Sequence, residues 1–258
     1  MDRNELADAL PAVTPALARF ALSLTRDPHE AEDLTQEVLV RAMERASTFR
    51  GESSLGTWLH RIAHNLAVDR ARRRREEPAE DVVEQVEARW RQDAWTVDAA
   101  EVAARAETRR ELEDALIRLP VAYRAAVILH DAEGMTVAQI ADIAEVSLPA
   151  AKQRLRRGRM MLVTALAHGG ERAEARRGVP MRCWDARLMV GDLLDGTLPP
   201  RDTEAVTRHL AACPTCPPLY ASLVATTDAL ARTGRTATRD PDSVLDPAQA
   251  ERIRATRS

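Results

Sequence analysis

The sequence predicts an all-α protein, with two small helical domains joined by a flexible linker and a small helical C-terminal unit that holds all three cysteines. Three observations predict it. Aromatic residues make up only 3% while hydrophobic residues reach 45%, so the core must be built from Ala, Leu, Val and Ile, a mixture that favours helix over sheet. Apolar residues recur at steps of three and four through the long segments. Helix-start chemistry stands ahead of several of those segments. A chain of 258 residues has ample length for more than one core. The expected divisions are 1–75, a linker at 76–107, 108–168, a hinge at 169–180, the cysteine unit at 181–230 and a disordered tail at 231–258, which is rich in Thr, Arg, Asp and Pro without periodicity.

In the first block, Asp27-Pro28-His29-Glu30 reads as a helix start, with Asp27 as N-cap, Pro28 at the first helical position and Glu30 closing a capping box. The helix behind it buries Ala31, Leu34, Val38 and Ala42 and leaves Asp33, Gln36 and Glu37 toward solvent. Taken alone, such a cluster is a solvated acidic face. The next helix, through TWLHRIAHNLAVDRARRRR, is expected to bury Leu55, Trp58, Leu59, Ile62 and Leu66. Asp69 falls on the same side and should be paired with an arginine. His60, Arg61, His64, Asn65, Val68, Arg72 and Arg75 are expected to project elsewhere as a polar, basic surface dense enough in arginine for phosphate contacts.

The segment 76–107 is acidic and shows no clean helical stripe, although Trp90 and Trp95 offer docking points. Beyond it, Thr136-Val137-Ala138-Gln139 is a capping box opening a short helix with Ile140, Ala141 and Ile143 inward. A break at Glu145-Val146 follows, and Ser147 then caps a second helix with Pro149 in its first turn. That is a helix-turn-helix. Its second helix carries Lys152, Gln153, Arg154, Arg156, Arg157 and Arg159, donors suited to guanine edges and phosphates in a major groove.

Charge is unevenly placed. The net charge is −3, yet basic residues cluster at 70–75 and 152–159 while acids gather at 30–37 and 76–114, so some faces suit DNA and others a basic protein. No run of about 18 apolar residues occurs, and MDRNELADAL lacks a signal-peptide layout, so no membrane association and a cytoplasmic location are expected. In that reducing compartment Cys183, Cys213 and Cys216 point to metal binding or redox sensing over a structural disulfide.

His209, Cys213 and Cys216 form H-x3-C-x2-C, with Cys183 placed 26 positions upstream of His209. One helical turn separates His209 from Cys213, and Pro214 turns the chain so that Cys216 converges, leaving Cys183 as the fourth ligand. The reading is a closed zinc site, structural or sensing and without an open position for hydrolysis; the alternative is a set of buried, unligated cysteines.

Together, TRDPHEAEDLTQEVLVRA (25–42), FRGESSLGTWLHRIAHNLAVDRARRR (49–74) and LIRLPVAYRAAVILHDAEGMTVAQIADIAEVSLPAAKQRLRRGRMML (116–162) resemble, in order, the extracytoplasmic-function (ECF) sigma factors of the sigma-70 family. The resemblance implies that Asp33, Gln36, Glu37 and Arg41 dock on the beta-prime clamp helices of core RNA polymerase, with the beta flap as a further contact. It implies that Arg50, Ser53, Arg61, Asn65 and Arg72 open and read the minus-ten element. Ser147, Lys152, Gln153, Arg156 and Arg157 would then read the minus-thirty-five element. Two positions depart from the family: Glu145 stands where glycine is frequent, so a looser or shifted turn is expected, and Arg156 stands where an apolar or aromatic residue is common. Residues 181–225 resemble the zinc-finger domain of anti-sigma factors, including LLDGTLPP between its helices, and fusion implies intramolecular contact with the sigma domains. The competing readings are a helix-turn-helix regulator that binds DNA without polymerase and a metal- or redox-sensing interaction protein. No nucleophile motif or open metal site supports an enzyme.

Overall fold

A computed structural model of the chain describes residues 2–25, 27–73, 79–167, 171–172 and 181–237. The order is α1 (Arg3–Thr25), α2 (Pro28–Glu44), a 3-10 turn (Ala46–Thr48), α3 (Leu55–Arg73), α4 (Ala79–Arg91), β1 (Trp95–Thr96), α5 (Ala99–Glu107), α6 (Arg109–Ile117), α7 (Val121–Val127), a π turn (Ile128–Ala132), α8 (Val137–Ala144), α9 (Leu148–Leu166), β2 (Glu171–Arg172), α10 (Cys183–Leu194), α11 (Pro200–Ala212) and α12 (Cys216–Ala237). Helix dominates, as expected. Two compact units result, one drawn from 1–76, 124–152 and 231–258, the other from 77–123 and 153–230.

In the first unit α1, α2 and α3 pack on one another around Leu17, Phe20, Leu34, Val38 and Leu59, and α8 packs on α3. Asp27 caps α2 by accepting from the Glu30 amide at 2.9 Å, with Pro28 at the first position. Arg124 donates to the Leu24 carbonyl at 2.7 Å, satisfying a bare group near the end of α1. The capping box of α8 is complete between Thr136 and Gln139, and Ile140, Ala141 and Ile143 are buried.

The burial of α3 corrects the sequence reading. Its buried residues are Thr57, Leu59, His60, Ala63, His64, Leu66 and Ala67, while Leu55, Trp58 and Ile62 are half-buried. His60 does not belong to a basic surface: its ring lies 4.8 Å from that of Phe20, and its Nδ1 meets the Gly56 carbonyl at 2.7 Å. His64 is buried as well. The inward face is set by packing against α1 and α8, so it is turned away from the face that Leu55, Trp58 and Ile62 alone would choose. Asp69 is paired with Arg72 at 3.0 Å, as expected, but at the surface.

In the second unit the segment expected to be a flexible linker carries α4 and α5. The inward stripe of α4 is Val83, Glu87 and Trp90, at helical spacing with a carboxylate in the middle. Trp90 is fully buried, lies 5.4 Å from Trp95 and donates Nε1–H to the Thr164 hydroxyl at 3.0 Å. β1 pairs antiparallel with β2, Trp95 opposite Arg172. The tail expected from 231 is helical as far as Ala237, because α12 continues there; 238–258 lie outside the described residues, as do Arg74, Arg75 and nearly all of the hinge at 169–180.

Candidate zinc centre and nucleic-acid-binding helices

The helix starts and ends of the C-terminal unit converge on one point. Cys183 opens α10, His209 lies in the last turn of α11, Cys213 caps that helix and Cys216 opens α12. All four side chains are buried, and their ligand atoms lie within 4.8 Å of one another. The Cys183 and Cys213 sulfurs are 3.6 Å apart. That is far beyond a disulfide's S–S length of about 2.05 Å and close to the edge of about 3.8 Å of a tetrahedron with Zn–S of about 2.3 Å.

The donor set fits zinc. Neither ring nitrogen of the fully buried His209 makes a hydrogen bond of good geometry, leaving a lone pair for a metal. Burial holds this imidazole below its ordinary value, against the opposing pull of the Met181 backbone, which keeps it in the neutral, ligating form. Burial pushes the Cys183 thiol well up, helped by Cys216 and Cys213, and pushes Cys216 up against the nearby Arg187 guanidinium. At Cys213 burial is outweighed by hydrogen bonds from the Thr215 side chain and backbone and the Cys216 backbone, and the net direction is down. Four protein ligands close the site, so zinc there would serve structure and would present no open position for a substrate.

Arg187 ties this centre to the segment before α5. The side chain is 1% exposed and donates to the backbone carbonyls of Trp90, Gln92 (2.9 Å) and Trp95 (2.8 Å) and to the Thr215 hydroxyl at 3.3 Å. That hydroxyl lies 3.3 Å from the Cys213 sulfur. Thr96 adds a bond from its hydroxyl to the Thr215 carbonyl at 2.8 Å. The end of α4 and the turn into β1 are therefore bound to the cysteine knuckle.

On α9, Ser147 accepts from the Ala150 amide at 3.3 Å as the expected cap, and Ser147, Lys152 and Gln153 are exposed. Arg156 and Arg157 are not. Both meet the Glu87 carboxylate, at 3.3 and 2.8 Å, and Glu87 itself is only 6% exposed. Arg156 also lies 5.8 Å above the Trp184 ring. Burial pushes its guanidinium down, against the pull of Glu87; at Arg157 burial is outweighed by Glu87 and Tyr123 and the direction is up. One turn on, Arg159 makes a bidentate pair with Asp195 at 2.9 and 2.8 Å, joining α9 to the end of α10.

In the first unit, Asp33 is exposed and Gln36, Glu37 and Arg41 are half-buried on α2. Glu37 is held by Arg41 at 2.6 Å and by Arg70 of α3 at 2.7 Å; the Arg70 hydrogen bond and both guanidinium charges outweigh partial burial and hold its carboxyl below the ordinary value. Beside them Val40 is 47% exposed, an apolar spot on a polar face that the charge pattern alone does not reveal. Arg50 is exposed and Ser53 half-exposed in the loop before α3, where Gly51 takes the left-handed conformation. Arg61 and Asn65 are half-buried on α3, and Asn65 donates to Glu145 at 3.3 Å. Arg72 stays exposed. The turn between α8 and α9 is not loosened by its missing glycine: Glu145 itself adopts φ 52°, ψ 47°, the left-handed geometry glycine would supply.

Arg159, expected among the DNA-facing donors of the second helix, is instead buried and paired with Asp195, and Glu87, Asp195 and Arg187 were missed by the sequence reading. The signal for Glu87 was its place between Val83 and Trp90 at helical spacing; the others carry none without their distant partners.

Three families match in chain order: Sigma-70 region 2 over residues 12–77, Sigma-70 region 4 over 109–162, and a zinc-finger family over 183–216. Fold, helix-turn-helix and knuckle thus define a sigma-70-type transcription factor with a fused zinc module. Curated relatives narrow the class. The ECF RNA polymerase sigma factor SigM of Mycobacterium tuberculosis is 32% identical over 152 residues, covering 59% of this chain and 72% of SigM. SigE of Mycolicibacterium smegmatis is 34% identical over 158 residues, covering 61% of this chain and 60% of SigE. SigW of Bacillus subtilis is 26% identical over 165 residues, covering 62% and 88%. The chain belongs to the ECF RNA polymerase sigma factors. Among solved structures, the sigma factor RpoE in complex with the anti-sigma factor NepR from Bartonella quintana matches at 27% identity with a TM-score of 0.44, covering 62% of this chain and 94% of that one. Among the described residues no helix is long and apolar enough to cross a membrane.

Proposed function

We propose that this chain directs core RNA polymerase to specific promoters and starts transcription there, contributing recognition and strand opening while the polymerase performs the chemistry. Region 1–75 binds the enzyme through the α2 face, with Asp33, Gln36, Glu37 and Arg41 set around exposed Val40 against the beta-prime clamp helices; charge complementarity sets register and rate. Arg50, Ser53, Arg61, Asn65 and Arg72 engage the opened minus-ten strand, where an unstacked base is held in a small polar loop. Region 108–168 reads the minus-thirty-five duplex with Ser147, Lys152, Gln153, Arg156 and Arg157, and meets the beta flap. The module at 181–230 binds zinc and modulates these contacts in cis, and the protein acts in the bacterial cytoplasm.

The observation that carries this reading is the doubly capped helix pair α8–α9, which leaves Ser147, Lys152 and Gln153 exposed at the start of the second helix. Run-off transcription with purified core polymerase and a promoter library tests it. The full chain should select promoters. Lys152→Ala with Gln153→Ala should abolish selection while the chain still associates with core, and Asp33→Ala with Gln36→Ala should weaken association itself. Promoter-independent output from every form would overturn the reading.

A further inference from the structure

We propose that Glu87 on α4 is a built-in competitor for the DNA backbone, occupying the guanidinium seat of Arg156 and Arg157 until α4 is displaced, and that the zinc knuckle holds it there through Arg187. This rests on the reading of α9 as the duplex-reading helix and names the regulation of that site.

The geometry is that of an anion site already filled. Two guanidinium groups on consecutive residues of α9 converge on one Glu87 oxygen, at 3.3 and 2.8 Å, while the other oxygen accepts from Arg91 at 3.2 Å. Arginine pairs of this kind bind phosphate as readily as carboxylate, because two non-bridging phosphate oxygens offer the guanidinium fork the same pair of charged acceptors as a carboxylate. A helix of this polarity has no packing reason to place a carboxylate between Val83 and Trp90. A Glu there is accounted for only by the arginines it meets.

The mask lies on the segment between the sigma regions, and the zinc module only holds it. The module adds contacts of its own: the Trp184 ring lies against Arg91 and Arg156, and Asp195 takes Arg159. The last carbonyls of α4 and the turn after it are bound by Arg187, whose Nη2 also reaches the Thr215 hydroxyl between the two knuckle cysteines Cys213 and Cys216. A knuckle that loses its metal loses the fixed position of Thr215 and Arg187, and with it the anchor of α4. Metal loading and access to Arg156 and Arg157 are thereby opposed.

The test uses the full, zinc-loaded chain and a fluorescent random-sequence duplex, with affinity read by anisotropy across salt concentrations. Glu87→Gln keeps the side-chain shape and removes the charge. Freed arginines should tighten binding about tenfold, within the usual range of coupling between two sites. Two added phosphate contacts should steepen the slope of log affinity against log salt by about two. Adding Arg156→Ala and Arg157→Ala to Glu87→Gln should cancel both gains. Chelation of the wild type under reducing conditions should reproduce the gain, and chelation of Glu87→Gln should add little. Hydrogen exchange on the unaltered protein covers the case of a misfolded variant: saturating duplex should expose the amides of α4 and protect those of α9. Equal affinity and slope for wild type and Glu87→Gln, or α4 amides unchanged at saturating duplex, would overturn the proposal. Core-polymerase association measured on the same samples separates the two readings, since its absence in every form would sink the sigma reading, and its presence with an inert Glu87→Gln would sink only the mask.

Discussion

Replacing Arg187 by Met, which keeps most of the buried volume and removes every donor, should destabilise the second unit by about 2–4 kcal/mol. The figure follows from the structure. Four backbone carbonyls accept from a guanidinium that is 1% exposed, those of Trp90, Gln92 and Trp95 at close range and that of Asp93 at 3.5 Å. Hydrogen bonds to a charged group contribute about 1.5–3 kcal/mol each, so even the lower end gives about 4–5 kcal/mol for the three close ones. Removing a charge from the interior returns part of that, because burying the guanidinium carries a desolvation penalty of several kcal/mol before its partners are counted. Urea unfolding followed by tryptophan fluorescence reads the difference, since Trp90 and Trp95 sit beside the guanidinium and both are buried. Arg187→Lys should recover only part of the loss, because an ammonium cannot reproduce the fork that spans carbonyls on both sides of the turn. A loss below about 0.5 kcal/mol for the Met variant, the range of ordinary surface substitutions, would mean that these hydrogen bonds do not hold the unit together.

Purified under reducing conditions, the chain should carry one zinc, and His209→Ala or Cys213→Ser should lose it; because structural zinc contributes about 10 kcal/mol or more in small modules, chelation should melt the 12-residue α10 and 13-residue α11, read as lost far-ultraviolet helicity. Glu37 has a folded value held below its ordinary 4.5, so its ion pairs stabilise the protein fully above that value and the contribution is lost as pH falls through the lower, folded one. Thermal melts from pH 6 downward should therefore show Arg70→Ala with a shallower acid-side decline than wild type, and parallel curves would contradict that. Glu145→Gly should raise stability by about 0.5–1 kcal/mol, since a left-handed non-glycine residue costs about 1–2 kcal/mol and glycine's extra chain entropy returns about half of it. Calorimetry showing no gain would mean that the Asn65 bond to Glu145 outweighs the strain.

Features written in neighbouring residues were legible. Asp27 with Pro28, Thr136 with Gln139, and Ser147 announce helix starts because the cap and the amide it serves are three residues apart, and each of the three caps accepts from that amide. The knuckle was legible for a similar reason: H-x3-C-x2-C fixes three ligands within the short stretch 209–216, and only Cys183 had to be supplied from farther away. The rotation of α3 was not, because the preference for His60 over Leu55 inside depends on the Phe20 ring, 40 positions earlier in the chain. The helix α4 was hidden by Glu87, which breaks the apolar stripe in sequence and completes it in space by meeting arginines 69 and 70 positions away. The acidic character that made 76–107 read as a linker includes the carboxylate of Glu87, which binds it to α9. Left-handed Glu145 shows a further limit: the family preference for glycine pointed to the right backbone geometry, but the chain keeps that geometry and accepts strain where a loosened turn was expected.

A sigma factor works only in association with polymerase. That association can be measured by mixing the purified full-length protein with bacterial core enzyme and following fluorescence polarisation, across salt and in reducing buffer with zinc present and then chelated. Saturable binding that falls on substitution of Asp33 and Gln36 is the result expected. No association under any of these conditions would contradict a role with polymerase.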